Sequence, residues 1–127
     1  QWGAQHAPKI MATVDGEYKK IFGWETDATS EEYVTFLRTF IVEFLNHMKA
    51  RGDDKRCFFH ISDEPALEHL EHYTKAREQV ADLLEGYVIM DALSDFEFYK
   101  TGALPNPIPS NDHIVPFIEA GVENLWT

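Results

Sequence analysis

The sequence predicts an α/β fold, a partial (β/α)8 barrel of parallel strands alternating with helices, on three observations. Two short runs, 57–62 and 87–91, are apolar almost throughout and lack clean alternation, as expected of strands covered on both faces. Each follows a segment with helical apolar spacing. The order is then strand, helix, strand, helix, strand, loop or short helix, strand, which implies parallel strands with right-handed crossovers. Such a sheet closes in one of two ways, as an open doubly wound sheet or as a barrel. An open nucleotide-binding sheet needs a Gly-rich turn after its first strand, and neither G-x-G-x-x-G nor a P-loop occurs in the sequence. A complete barrel takes about 250 residues, so 127 residues supply about half of one. All of them are read as a single unit, since one core serves about 100–150 residues.

The elements follow in chain order. Residues 9–14 read as a strand, and Asp15-Gly16 marks a two-residue hairpin whose central positions need positive φ, with 18–24 as the return limb. Thr29 and Glu32 have the spacing of a capping box. From there Tyr33, Phe36, Leu37, Phe40, Ile41, Phe44, Leu45 and Met48 recur at steps of three and four, predicting a helix to about Arg51 that Gly52 stops. Asp53 to Arg56 is a polar turn before the strand 57–62. Pro65 suits the first position of the next helix. The buried face of that helix is Leu67, Leu70, Tyr73, Val80, Leu83 and Leu84, and Gly86 ends it. After the strand 87–91, the segment 93–113 is too long for an idle connection. Residues 114–120 predict a short helix stopped by Gly121, and 122–126 a last strand.

Composition narrows the function. Hydrophobic residues at 44% and aromatic residues at 13% exclude a disordered polyelectrolyte. Eleven Lys and Arg against 22 Asp and Glu give a net charge of -11, which excludes nucleic acid and anionic membrane as principal partners. No apolar run approaches the roughly 18 residues of a membrane span. Cys57 is the sole cysteine, so there is no internal disulfide and the compartment stays open. The start at Gln1 and the apolar end at Leu125-Trp126-Thr127 predict cut ends, from expression of a piece, from proteolysis, or from a domain taken out of a longer chain. No cofactor is expected.

The sharpest chemical feature is His60-Ile61-Ser62-Asp63-Glu64-Pro65. Two carboxylates stand side by side at the C-terminal end of an apolar strand, the end at which parallel α/β folds build active sites. Glycosidases use carboxyl groups to protonate a leaving oxygen and to stabilise positive charge. Adjacent residues lie too close to serve as acid and nucleophile on opposite sides of one bond. Glu64 as the acid and Asp63 as the partner of a nucleophile within the substrate is a division that fits. The competing occupation is capping of the next helix by Asp63 or Glu64. A helix N-terminus favours an ionised carboxylate, whereas burial and a neighbouring negative charge favour the proton that a general acid must hold.

The stretch Phe58-Phe59-His60-Ile61-Ser62-Asp63-Glu64-Pro65 resembles a motif of the domain-of-unknown-function family 4091, itself similar to the catalytic domain of glycoside hydrolase family 123. Three other segments agree in order and spacing: Phe22-Gly23-Trp24-Glu25-Thr26, the strand end Met90-Asp91-Ala92-Leu93-Ser94, and Pro107-Ile108-Pro109-Ser110-Asn111-Asp112-His113-Ile114. The resemblance runs from Pro8 to Trp126. It implies a (β/α)8 barrel that hydrolyses a β-linked 2-acetamido-2-deoxy sugar by substrate-assisted catalysis. In that scheme the acetamido oxygen attacks the anomeric carbon, Asp63 holds the acetamide, and Glu64 serves as acid and then base. Family barrels take strands on both sides of this segment and carry a β-sandwich besides. A non-catalytic carbohydrate-binding or assembly module is therefore the alternative for the isolated chain.

Four more residues are candidates for substrate binding. Trp24, Tyr99 and Trp126 offer rings for the C–H face of a pyranose, or else pack in a core or interface. Asp91 ends a strand on the rim of Asp63 and can take a sugar hydroxyl, or else caps or is solvated. His69 and His72 share a helical face with Glu68 and Glu71, but a solvated charged surface explains them without a metal. No Gly-x-Ser-x-Gly elbow occurs, so a serine hydrolase is unsupported. The partners expected are a carbohydrate substrate and either a second copy of the chain or the remainder of a longer one. A half barrel leaves strand edges and apolar inner faces, which predicts self-association.

Overall fold

The computed structural model describes residues 4–123 and 125–127. It is a mixed α/β arrangement. Strands β1 (Ile10–Val14) and β2 (Glu17–Phe22) form an antiparallel hairpin. Asp15 and Gly16 both take positive φ, 54° and 83°, the geometry that an Asp-Gly turn supplies. Helix α1 (Glu31–Arg51) follows and ends on Gly52 at φ 74°, whose N–H reaches the carbonyl of Lys49. The start of α1 departs from the expected capping box. Ser30, not Thr29, is the N-cap and makes no side-chain cap bond, while both the N–H and the hydroxyl of Thr29 are drawn back to Oδ1 of Asp27 at 2.7 Å.

The parallel strands are shorter than the sequence predicts. Strand β3 (Phe58–Phe59) pairs with β4 (Val88–Ile89), and β5 (Asp91–Ala92) pairs with β6 (Pro107–Ile108), both in parallel. Only Met90 separates β4 from β5, and its N–H reaches the carbonyl of Phe59 at 3.0 Å. The stretch 88–92 thus touches β3 at its first half and β6 at its second, so the ladders are staggered rather than continuous. No barrel closes among the described residues, and the expected half barrel is not formed by them: they make two short parallel pairs and an antiparallel hairpin, three separate two-stranded sheets. Full cover of β3 and β4 also fails on one face. Phe58 and Val88, paired in register, are 52% and 48% exposed, while Phe59 and Ile89 pack inward.

Helix α2 (Leu70–Glu78) connects β3 to β4, preceded by a 3-10 turn at Leu67–His69. Pro65 is buried ahead of that turn rather than being its first residue. The helical pattern to Leu84 breaks after Glu78, since the carbonyl of Gln79 accepts from Arg38 at 2.7 Å and residues 79–84 continue as turns. Val80 and Leu84 still reach the core on those turns. The long segment 93–113 contains helix α3 (Phe96–Lys100) and strand β6, and helix α4 (Val115–Glu119) follows. The expected last strand does not form at the described residues among 122–127; Asn124 lies outside them.

Three clusters hold these pieces. Ile41 and Leu45 of α1 meet Val80 and Leu84, with Phe59 and Ile89 against them. Tyr73 of α2 meets Leu93, Phe98 and Leu104. Phe22 and Tyr33 join the hairpin to α1 through edge-on rings 5.3 Å apart. Burial of each such side chain contributes about 1.5–3 kcal/mol.

Candidate active site

The turn that carries Asp63 and Glu64 leaves the end of β3 and is fastened from below by Asp91. Asp91 is fully buried, and Oδ1 accepts the N–H groups of Ile61 at 2.8 Å and Ser62 at 3.3 Å. Its Oδ2 accepts the hydroxyl of Tyr73 at 2.7 Å, and Nδ1 of His60 lies 3.3 Å from Oδ1. Burial pushes the Asp91 carboxyl above its ordinary value, against the opposing pull of Tyr73, the two backbone donors and His60. Burial likewise raises Tyr73, with Asp91 adding to it.

Beyond Ser62 the chain turns sharply. Glu64 sits at φ 46°, a left-handed conformation that costs a non-glycine residue about 1–2 kcal/mol. It is held there by its N–H, which reaches the carbonyl of Ala92 at 3.0 Å. Strain of this kind persists only where surrounding contacts over-determine it, and it concentrates at functional sites. Two further contacts fasten the far side. Nδ1 of His69 accepts the N–H of Ala66 at 3.0 Å, and Oδ2 of Asp95 accepts that of Leu67 at 2.8 Å. Asp95 also caps α3 through Oδ1, which accepts from Glu97 and Phe98.

The two carboxylates are placed differently. Asp63 is exposed and lines an open, mainly apolar groove of about 770 Å³, together with Phe40, Phe44, Phe58, His60 and Ser62. Glu64 is half-buried and aims at the end of the next strand. Its Oε2 accepts the N–H of Ser94 at 3.3 Å, and its Oε1 the hydroxyl of Ser94 at 3.2 Å. The Ser94 hydroxyl lies 2.9 Å from that of Ser110, which in turn contacts Asp112 Oδ1 at 2.7 Å and His113 Nδ1 at 3.0 Å. Hydrogen bonds from Ser110 and then His113 hold the Asp112 carboxyl below its usual range. Chemically, this turn offers one carboxylate open to a ligand and a second that is oriented by the N–H and hydroxyl of Ser94. Among the described residues, no group of three or more His, Cys, Asp or Glu side chains is placed to hold a metal ion.

Of the residues singled out in the sequence, the structure gathers Asp63, Glu64 and Asp91. Asp91 stands beneath the turn, with both oxygens engaged by the protein. Trp24, in the turn after β2, and Trp126 are exposed, and Tyr99 packs on Phe96 and Phe117 within α3 and α4. Sequence reasoning missed Ser94 and Ser110 as members of the site. The signal was present: both lie in segments that carry the family resemblance, and both meet Glu64's surroundings only in three dimensions. No curated protein matches the chain. The residues 1–126 match the family described as glycoside hydrolase 123, catalytic domain, and the chain belongs to that family of glycoside hydrolases.

Proposed function

We propose that the Asp63–Glu64 pair cleaves a β-linked N-acetylhexosaminide by substrate-assisted catalysis. Glu64 protonates the glycosidic oxygen as the acetamido oxygen of the substrate attacks the anomeric carbon. Asp63, ionised, holds the acetamide N–H and stabilises the positive charge that develops on it. Glu64, now a carboxylate, then takes a proton from the water that opens the cyclic intermediate. Each proton has a named origin, and no nucleophile from the protein is needed.

The observation that carries this reading is the strained Glu64, with both carboxylate oxygens oriented by Ser94, beside an exposed Asp63 at the end of a parallel strand. Family membership supports glycoside hydrolysis. The two parallel pairs β3–β4 and β5–β6, joined through α2 and α3, support placing this segment within a (β/α)8 barrel, with its site at the C-terminal strand ends. Trp24 and Trp126 present open ring faces suited to the C–H side of a sugar. The test is release of the aryl alcohol from an aryl 2-acetamido-2-deoxy-β-glycoside by the chain, compared with Glu64→Gln and Asp63→Asn. Loss of turnover in both variants supports the assignment. Sugar binding without turnover by the unsubstituted chain is the result expected of a carbohydrate-binding module instead.

A further inference from the structure

We propose that Ser94 is the positioning residue of Glu64, and that Ser110 behind it lets the Ser94 hydroxyl reverse direction whenever Glu64 gains or loses its proton. The inference deepens the acid and base role proposed for Glu64 and rests on it.

A count of hydrogens leads to this. Each serine hydroxyl has one hydrogen, while the Ser94 oxygen lies within reach of three groups: Glu64 Oε1 at 3.2 Å, Ser110 Oγ at 2.9 Å and the Ser110 N–H at 3.3 Å. The Ser94 N–H fixes Oε2 of Glu64 as an acceptor, so the carboxyl proton belongs on Oε1. When Glu64 is ionised, the Ser94 O–H points at Oε1, and the Ser110 N–H points at the Ser94 oxygen. When Glu64 is protonated, Oε1–H and Ser94 O–H cannot both point at each other. Ser94 therefore turns its hydrogen to Ser110 Oγ and accepts from Oε1. Ser110 is free to receive it because its own hydrogen has Asp112 Oδ1 as acceptor at 2.7 Å. No proton passes through the hydroxyls; that of Ser94 rotates while that of Ser110 stays on Asp112, and every donor keeps an acceptor in both states.

The consequence for catalysis is directional. As the Oε1–H turns from Ser94 to the leaving oxygen and the proton is released, negative charge grows on Oε1, and the Ser94 O–H swings back to meet it. This interaction is stronger in the transition state than in the ground state, which is the kind that raises kcat. Other titratable groups surround the turn: Asp63 beside Glu64, His60 and Asp91 below it, His69 and Asp95 on its far side, and Asp112 with His113 behind Ser110.

The experiment follows the backbone 1H–15N resonances of Ser94 and Ser110 in the intact chain from about pH 7 to about pH 3, across the ordinary carboxylate range. Both amides should share a transition that Glu64→Gln removes and Asp112→Asn preserves. In Ser94→Ala the shared transition should vanish from Ser110, and Ser94→Thr should restore it. A Ser110 transition that survives Glu64→Gln unchanged, or that persists in Ser94→Ala, overturns the proposal. This readout does not depend on turnover. In kinetics, Ser94→Ala should lower kcat about tenfold to a hundredfold, the range for a hydrogen bond to a charged group, with KM little changed and with rescue by Ser94→Thr. Full activity in Glu64→Gln defeats the catalytic reading and leaves the coupling to stand on the resonances. A dead Glu64→Gln with an unaffected Ser94→Ala defeats the positioning role alone.

Discussion

The hydroxyl of Tyr73 donates to Oδ2 of Asp91 at 2.7 Å, and both side chains are fully buried. This bond joins the middle of α2 to the first residue of β5. Through Oδ1, the same carboxylate holds the N–H groups of Ile61 and Ser62, which lead into the Asp63–Glu64 turn. One buried side chain thus fixes where two strands and a helix place the carboxylates.

Replacing Asp91 separates its hydrogen bonds from its charge. Asp91→Ala leaves the Tyr73 hydroxyl and two backbone donors without their acceptor and should cost about 3 kcal/mol or more. Asp91→Asn keeps an oxygen for Ile61 and Ser62 and can donate to the Tyr73 oxygen, so it should cost much less. Burial raises the Asp91 carboxyl above its ordinary value of 3.8 in the folded state. The folded protein therefore binds that proton more tightly than the unfolded chain. The associated stability is fully present below pH 3.8 and declines as pH rises through the folded value. Urea unfolding at a series of pH values should show the unsubstituted chain losing stability relative to Asp91→Asn as pH rises from there. Parallel curves would refute the burial cost.

The left-handed backbone of Glu64 makes its own prediction. Glu64→Ala and Glu64→Gly both remove the carboxylate and its bonds to Ser94, but only glycine adopts φ 46° without steric cost. Glu64→Gly should be as stable as Glu64→Ala or more so, with a difference of up to about 1 kcal/mol after glycine's extra unfolded-state freedom is counted. Thermal unfolding of the pair decides it, and an alanine variant clearly the more stable would show that the turn relaxes.

The open face of β3 and β4 points to association. Phe58, Val88 and Phe40 are about half exposed, and Phe58 and Phe40 also border the groove that reaches Asp63. Covering the exposed half of each would contribute about 1 kcal/mol, and a symmetric contact between two copies sets like against like. Sedimentation velocity at micromolar concentration should detect dimers or larger species, and Phe58→Ser should shift them toward monomer. A monomer throughout that range contradicts the expectation.

Local chemistry in the sequence was legible, and contacts across the chain were not. Asp15-Gly16, the stop at Gly52, the stripe from Tyr33 to Leu45 and the helix at 115–119 each depend on neighbours within a turn or two, so spacing alone reveals them. The cap of α1 was misassigned because Asp27 competes for both donors of Thr29. The end of α2 was missed because Arg38, 41 positions from Gln79, takes its carbonyl. Asp63 and Glu64 were singled out because two adjacent carboxylates follow an apolar strand. The interior place of Asp91 and the hydroxyls of Ser94 and Ser110 became visible only when three strand ends met, 16 to 30 positions apart in the chain.

Proton donation by Glu64 to the leaving group is open to a direct test with a leaving-group series. The unsubstituted chain and Glu64→Gln are compared on aryl 2-acetamido-2-deoxy-β-glycosides whose phenols range from acidic to weakly acidic. General acid catalysis is worth about 10²–10⁴-fold. Glu64→Gln should therefore lose about that much on the weakly acidic phenols, and progressively less as the leaving group needs no proton, with binding of the sugar retained. An equal loss across the whole series, or no loss at all, would contradict the assignment.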